Sequence, residues 1–161
     1  MCLLEYSGKN WKNKSGVVLV NERIKKIIEL LFKRYQTCNP FSLAEKLGIE
    51  VRYVAFGNNP LGQYVKVLHD PCILINQKLE GTERSYFVLA HEIFHFLEHE
   101  ELSGYYVLTP FTRGKLEQEA NLFATTLLLY HYVEEHGVYP STIKEVSYRF
   151  GIPNEISENY I

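Results

Sequence analysis

The spacing of apolar residues predicts a helix from Glu22 to Tyr35. Six apolar side chains recur there as on a single helix face, at Ile24, Ile27, Ile28, Leu31, Phe32 and Tyr35. Asn21 is a suitable N-cap, because its side-chain oxygen can accept hydrogen bonds from the first unpaired amides of the helix. A short helix should follow, since Ser42 to Glu45 is a capping-box sequence and Gly48 is a stop signal.

Residues 49–76 have the patterns of β-structure. Apolar side chains alternate with other residues from Ile49 to Ala55, which is typical of a half-buried strand. Tyr64 to Leu68 and Cys72 to Asn76 are β-prone runs, and His69-Asp70-Pro71 between them predicts a hairpin turn. The sequence therefore predicts a small sheet of about three strands, antiparallel or mixed.

The next two predicted helices are strongly apolar. Glu83 to His99 is apolar on nearly every side of its middle, which is typical of a helix inside the domain. After a predicted loop over 100–112, a second apolar helix runs from about Lys115 to Val133, and a short capped helix runs from Thr142 to Phe150. The pattern predicts an α+β fold, a compact helical domain whose small sheet packs against the helix over 83–99.

The composition is that of a folded chain. With 161 residues, 46% of them apolar, we expect one domain over 1–161, with a core over about 20–133 and a C-terminal helical extension over 134–161. The formal net charge of −2 does not favour direct binding of nucleic acid, and no apolar run is long enough to span a membrane. No secretory leader is visible, and three scattered cysteines without a CxxC motif are typical of reduced thiols. We therefore expect a cytoplasmic protein.

The strongest chemical motif is His91-Glu92-Ile93-Phe94-His95, an HExxH sequence within the first apolar helix. Residues i and i+4 share a helix face with Cβ atoms about 5–6 Å apart, so both imidazoles can converge on one Zn²⁺ ion. Glu92 lies about 100° around the helix, where it can reach an attacking water without binding the metal. One zinc ion per chain would compensate the cost of burying these ionisable groups. The alternative is a pair of core histidines, each bonded to a backbone carbonyl.

A catalytic zinc site needs a third protein ligand. His99 lies about 12 Å from His91 along the helix axis, which is too far for a shared ion. The carboxylates at 98, 100 and 101 are too near the motif to fold back easily, and they are typical of a polar helix end. These residues are therefore not favoured as ligands.

The second apolar helix supplies a better candidate, Glu117. It shares a face with Ala120, Asn121 and Ala124, and the small alanines would let two helices approach closely. Glu119 is rotated by about 200° from Glu117, so one helix cannot aim both at the metal. Favourable charge in the first turn of a helix is the alternative for both glutamates and the preferred explanation for Glu119. Asn121 could offer its amide oxygen to a histidine N–H.

The motifs on these two helices resemble those of a known family, the ImmA/IrrE metallopeptidases. Phe87 to His99 (FVLAHEIFHFLEH) is similar to the family motif FTLAHELGHxLLH, and Glu117 to Leu128 (EQEANLFATTLL) is similar to ExEANxFAxxLL. Gly62-Gln-Tyr, Ile73 to Asn76 and Arg84 also fit the family's strand pair before the active helix.

The resemblance implies a gluzincin-like zinc peptidase with His91, His95 and Glu117 as ligands and Glu92 as the catalytic base. Phe94 replaces a frequent glycine, and Leu128-Leu129-Tyr130 departs from the frequent ending LLMP; both differences concern the shape of the pocket.

The resemblance also implies a partner, since such proteins act on helix-turn-helix repressors of mobile elements or stress responses. The alternative function is a zinc-stabilised regulatory module that binds such a repressor without cutting it.

A peptidase needs a donor for the tetrahedral oxyanion, and His131, Tyr105 and Tyr106 are candidates. A substrate could pair as an extra strand along residues 63–67.

Overall fold

The structure is a computed structural model that describes residues 21–102 and 110–158, with side chains for 21–98 and 114–158. The helices are α1 (Glu22–Tyr35), α2 (Pro40–Lys46), α3 (Arg84–Leu102), α4 (Pro110–His136), α5 (Ile143–Phe150) and α6 (Asn154–Glu158). The strands are β1 (Glu50–Val54), β2 (Gly62–Val67) and β3 (Asp70–Asn76), and a 3₁₀ turn spans Gln77–Leu79.

The first helix has the predicted boundaries and cap. The side-chain oxygen of Asn21 accepts hydrogen bonds from the backbone N–H groups of Arg23 and Ile24. The capping box predicted for α2 is wrong, because Asn39 caps that helix and Pro40 is its first residue. Proline suits this position, since its missing N–H would have no partner inside the helix.

Within the described ranges, three strands form one mixed sheet in the order β1-β3-β2. β1 runs parallel to β3, and β2 runs antiparallel to it. Leu68 and His69 make the hairpin turn, with φ of 51° and 79°, as tight two-residue hairpins require. The predicted turn was therefore one residue too late, because Asp70 and Pro71 already belong to β3.

The core lies between α3, α4 and one face of the sheet. Phe94 of α3 and Phe123 of α4 are fully buried with ring centroids 5.4 Å apart, and Ile73 and Ile75 of β3 are also fully buried. The predicted α+β class, with a small mixed sheet against the HExxH helix, is confirmed.

Both central helices are longer than the sequence pattern indicates. The predicted loop over 100–112 is wrong at both ends, because α3 continues to Leu102 and α4 begins at Pro110; residues 103–109 lie outside the described ranges. Within those ranges, no helix has the length and apolar character needed to cross a membrane.

Candidate metal centre

Three ligand-type side chains from α3 and α4 meet at one point. Nε2 of His91 lies 3.0 Å from Nε2 of His95. Oε2 of Glu117 lies 3.1 Å from Nε2 of His91, and its Oε1 lies 3.3 Å from Nε2 of His95. In a tetrahedral zinc site with bonds of about 2.0–2.1 Å, neighbouring ligand atoms are about 3.3 Å apart. The group could therefore hold a metal ion.

The local sequence explains why these groups meet. His91 and His95 are one turn apart on α3 and share a face. His91 contacts Asn121 while His95 contacts Glu117, so α3 and α4 run antiparallel at the site. Ala120, next to Asn121 on α4, is fully buried, and its small side chain is compatible with a close approach of the two helices.

Asn121 determines which nitrogen of His91 faces the cluster. Its Oδ1 lies 2.9 Å from Nδ1 of His91. Because an amide oxygen can only accept, Nδ1 carries a proton, and Nε2 is the nitrogen left to face the cluster and bind a metal. Both ring nitrogens of His91 thus contact side chains, and the alternative of a histidine bonded to backbone carbonyls does not describe this residue.

Glu92 lies beside the cluster and is held by the sheet. It is 8% exposed, and its Oε2 accepts a hydrogen bond of 2.9 Å from the backbone N–H of Tyr64. The N–H of Asn76 donates to the carbonyl of Leu61, so in this antiparallel pair the amide of Tyr64 points away from β3 and towards α3. The outer side of β2 therefore orients the carboxylate.

Gly62 allows β2 to come this close to α3. A Cβ atom at this position would lie 2.5 Å from Cγ1 of Val88 and 3.0 Å from Cγ of Glu92. A glycine inside a strand often marks such a close approach, and this was the one available sequence signal for the contact.

The electrostatics of the cluster follow from burial and from its own charges. Burial raises the pKa of Glu92, although the positive charges of His91 and His95 oppose this. Burial also lowers the pKa of His95, but the hydrogen bond to Glu117 and the charge of Glu92 outweigh it, and the net pKa is raised. Hydrogen bonds from His91 and His95 hold the pKa of Glu117 far below its usual value. Glu117 is therefore a carboxylate, the form that binds a metal.

Comparison with known proteins agrees with this geometry. Residues 44–157 match the protein family described as the IrrE N-terminal-like domain, peptidase family M78. The chain belongs to this family.

Two relatives illustrate the similarity. "Uncharacterized immunity region protein 2" of Bacillus phage phi105 is 31% identical over 137 residues, which cover 83% of this chain and 86% of the relative. "Metallopeptidase ImmA" of Bacillus subtilis (strain 168) is 29% identical over 115 residues, which cover 70% of this chain and 66% of the relative, just under two thirds of its length. Membership of the IrrE N-terminal-like family supports a metallopeptidase-like role and implies a metal.

One residue predicted for the site, the oxyanion candidate His131, lies far from the metal centre. His131 lies about 21 Å along α4 from Glu117, by the rise of an α-helix. It is buried near the rings of Tyr86 and Phe150, with centroid distances of 6.2 and 5.0 Å. The other two oxyanion candidates, Tyr105 and Tyr106, lie outside the described residues, as does the side chain of His99.

The structural explanations given for Glu98 and Glu119 were wrong, whereas the expectation that neither binds the metal stays a prediction. Glu98 is not part of an exposed helix end, because its side chain is 6% exposed and its carboxylate pairs with Arg23 at 2.5 Å. Glu119 contacts the same guanidinium at 3.4 Å. Since α4 begins at Pro110, Glu117 and Glu119 both lie beyond its first turn, and favourable charge at a helix N-terminus explains neither.

Proposed function

We propose that this protein is a cytoplasmic zinc-dependent metallo-endopeptidase that cleaves a helix-turn-helix repressor of a mobile element or stress response. The observation that supports the reaction is the convergence of Nε2 of His91, Nε2 of His95 and the carboxylate of Glu117, with the carboxylate of Glu92 beside them. The three converging groups would hold one zinc ion and leave a fourth position open, as catalytic zinc sites do.

Zinc, when bound, would polarise the scissile carbonyl and lower the pKa of a water to about 7. Glu92 would take the proton from the attacking water and pass it to the leaving amine. Its raised pKa suits the first of these steps, because a carboxylate with a higher proton affinity is a stronger base. Asn121 would accept the hydrogen bond from Nδ1 of His91 and so keep Nε2 of that ring aimed at the ion.

The substrate proposal draws on different observations. Within the described residues, β2 has a sheet neighbour on one side, and its other side passes Glu92, so an extended peptide added along residues 63–67 would lie beside the base. The phage relative is named after an immunity region, which is consistent with a regulatory substrate in a mobile element.

The ligand assignment can be tested by measuring zinc content. The purified protein should hold one zinc ion per chain, and Glu117→Gln should lose most of it. Gln118→Ala is the matched control, since Gln118 is the exposed next residue on α4. Equal zinc content in both variants would remove Glu117 from the site.

The reaction can be tested with the repressor encoded beside this gene, incubated with and without a chelator. Fragments that form only without the chelator support the peptidase. Glu92→Gln should keep zinc and lose cleavage; turnover by this variant would refute the role of Glu92. A stable complex without fragments would instead favour the regulatory module that binds without cutting.

A further inference from the structure

A single arginine connects the two helices that carry the metal-centre residues. Arg23 lies on α1, and its Nη2 is 2.5 Å from Oε1 of Glu98 on α3. Its Nη1 is 3.4 Å from Oε2 of Glu119 on α4. Glu98 follows His95 by three residues, and Glu119 follows Glu117 by two, so both contacts lie within one turn of a cluster residue. The guanidinium therefore joins α3 and α4 at a level within one turn of the cluster residues on each helix.

The contact with Glu98 is costly to lose. The side chain of Glu98 is 6% exposed, and a buried carboxylate needs a charged partner. The guanidinium also has a planar fork that can serve two carboxylates with separate nitrogens, which a lysine ammonium cannot reproduce. Ile24 and Ile28 anchor α1 in the core at 1% exposure, so the arginine is presented from a fixed helix.

We propose that Arg23 is a positioning residue for the metal centre, holding α3 and α4 at the spacing that lets Glu117 reach both histidines. Helix α1 lies before the matched family range of 44–157, so this chain uses a segment outside that range to complete the centre. The inference rests on the proposed function, because it takes the cluster to be a zinc site.

The test measures zinc affinity by competition with a chromophoric chelator, together with the unfolding midpoint of each metal-free variant. Arg23→Ala should weaken zinc binding about 10-fold, the lower range for losing an outer contact of a metal site. Arg23→Lys keeps a positive charge beside Glu98, so it provides a second variant if Arg23→Ala fails to fold. It should still bind zinc more weakly than the wild type.

Two controls separate positioning from general stability. Arg34→Ala removes an exposed arginine from the same helix and should change neither quantity. Ile28→Val trims a buried side chain of α1 and should lower the unfolding midpoint while leaving zinc affinity within about twofold. Unchanged affinity in Arg23→Ala, or equal weakening in Ile28→Val, would overturn the proposal.

Hydrogen exchange gives a readout that needs no metal. In the metal-free protein, Arg23→Ala should speed exchange of the backbone amides of 117–121 at least several-fold more than either control does. If the wild type binds no zinc, the proposed function fails, and this measurement alone decides whether Arg23 holds α4 in place. Unchanged exchange at 117–121 would refute that role as well.

Discussion

Replacing Gly62 by alanine tests whether β2 controls the position of Glu92. The added Cβ would lie 2.5 Å from Cγ1 of Val88, whereas carbon atoms pack at about 3.5–4.0 Å. The strand or the two α3 side chains must therefore move by about 1 Å. Overpacking of this kind costs about 1–3 kcal/mol of unfolding free energy. A displacement of about 1 Å in catalytic geometry can lower a rate about 100-fold.

The assay combines urea denaturation, zinc content and repressor cleavage. Gly62→Ala should unfold at lower urea, keep its zinc because the ligand residues lie on α3 and α4, and cleave about 100-fold more slowly. Gly114→Ala is the matched control, because a Cβ there meets no atom within 4 Å and alanine favours a helix by about 0.8–1.0 kcal/mol. If Gly62→Ala matched the wild type in both stability and cleavage, the argument from close packing would be refuted.

Three further predictions concern His95, Asn121 and Asn76. Zinc affinity should fall as pH decreases, and the fall should begin above pH 6.5, because the pKa of His95 is raised above that ordinary value and a proton competes with the ion. Constant affinity in a series of calorimetric titrations at different pH values would contradict this. Asn121→Ala should weaken zinc binding about 10- to 100-fold by releasing the ring of His91, and affinity equal to the wild type in chelator competition would exclude that role. Asn76→Ala should lower the unfolding free energy, measured by urea denaturation, by about 2–4 kcal/mol, because it removes the hydrogen bonds to the carbonyls of Gly57 and Pro60. A loss below about 0.5 kcal/mol would show that those carbonyls find other partners.

The elements with strong periodicity were predictable from the sequence. The apolar stripe of α1 and the cap at Asn21 rest on local spacing alone, and both match the structure. The start of α4 was not predictable in the same way, because residues 110–114 lack the apolar pattern that marks the rest of the helix. The apolar pattern therefore places Glu117 and Glu119 in the first turn, whereas α4 begins at Pro110.

The candidate site also has features that the sequence predicts and features that it does not. The face shared by His91 and His95 follows from helix geometry, and the meeting of Glu117 with them follows from one pair of facing helices. The hydrogen bond from Tyr64 to Glu92 and the pairing of Arg23 with Glu98 each join segments far apart in the chain. Such contacts depend on tertiary packing, which no local periodicity encodes, and the charge of Glu98 on its own is typical of a solvated helix end.

The use of a main-chain donor to orient Glu92 has a consequence for how the chain can vary over evolution. Every amino acid except proline supplies that N–H, so a replacement at position 64 keeps this hydrogen bond to the base, although it loses the ring contact of Tyr64 with Phe96. Position 62 has no such freedom, because its contribution is the absence of a side chain. Position 64 should therefore tolerate more replacements than position 62, and a saturation library across 62–66 would measure the difference.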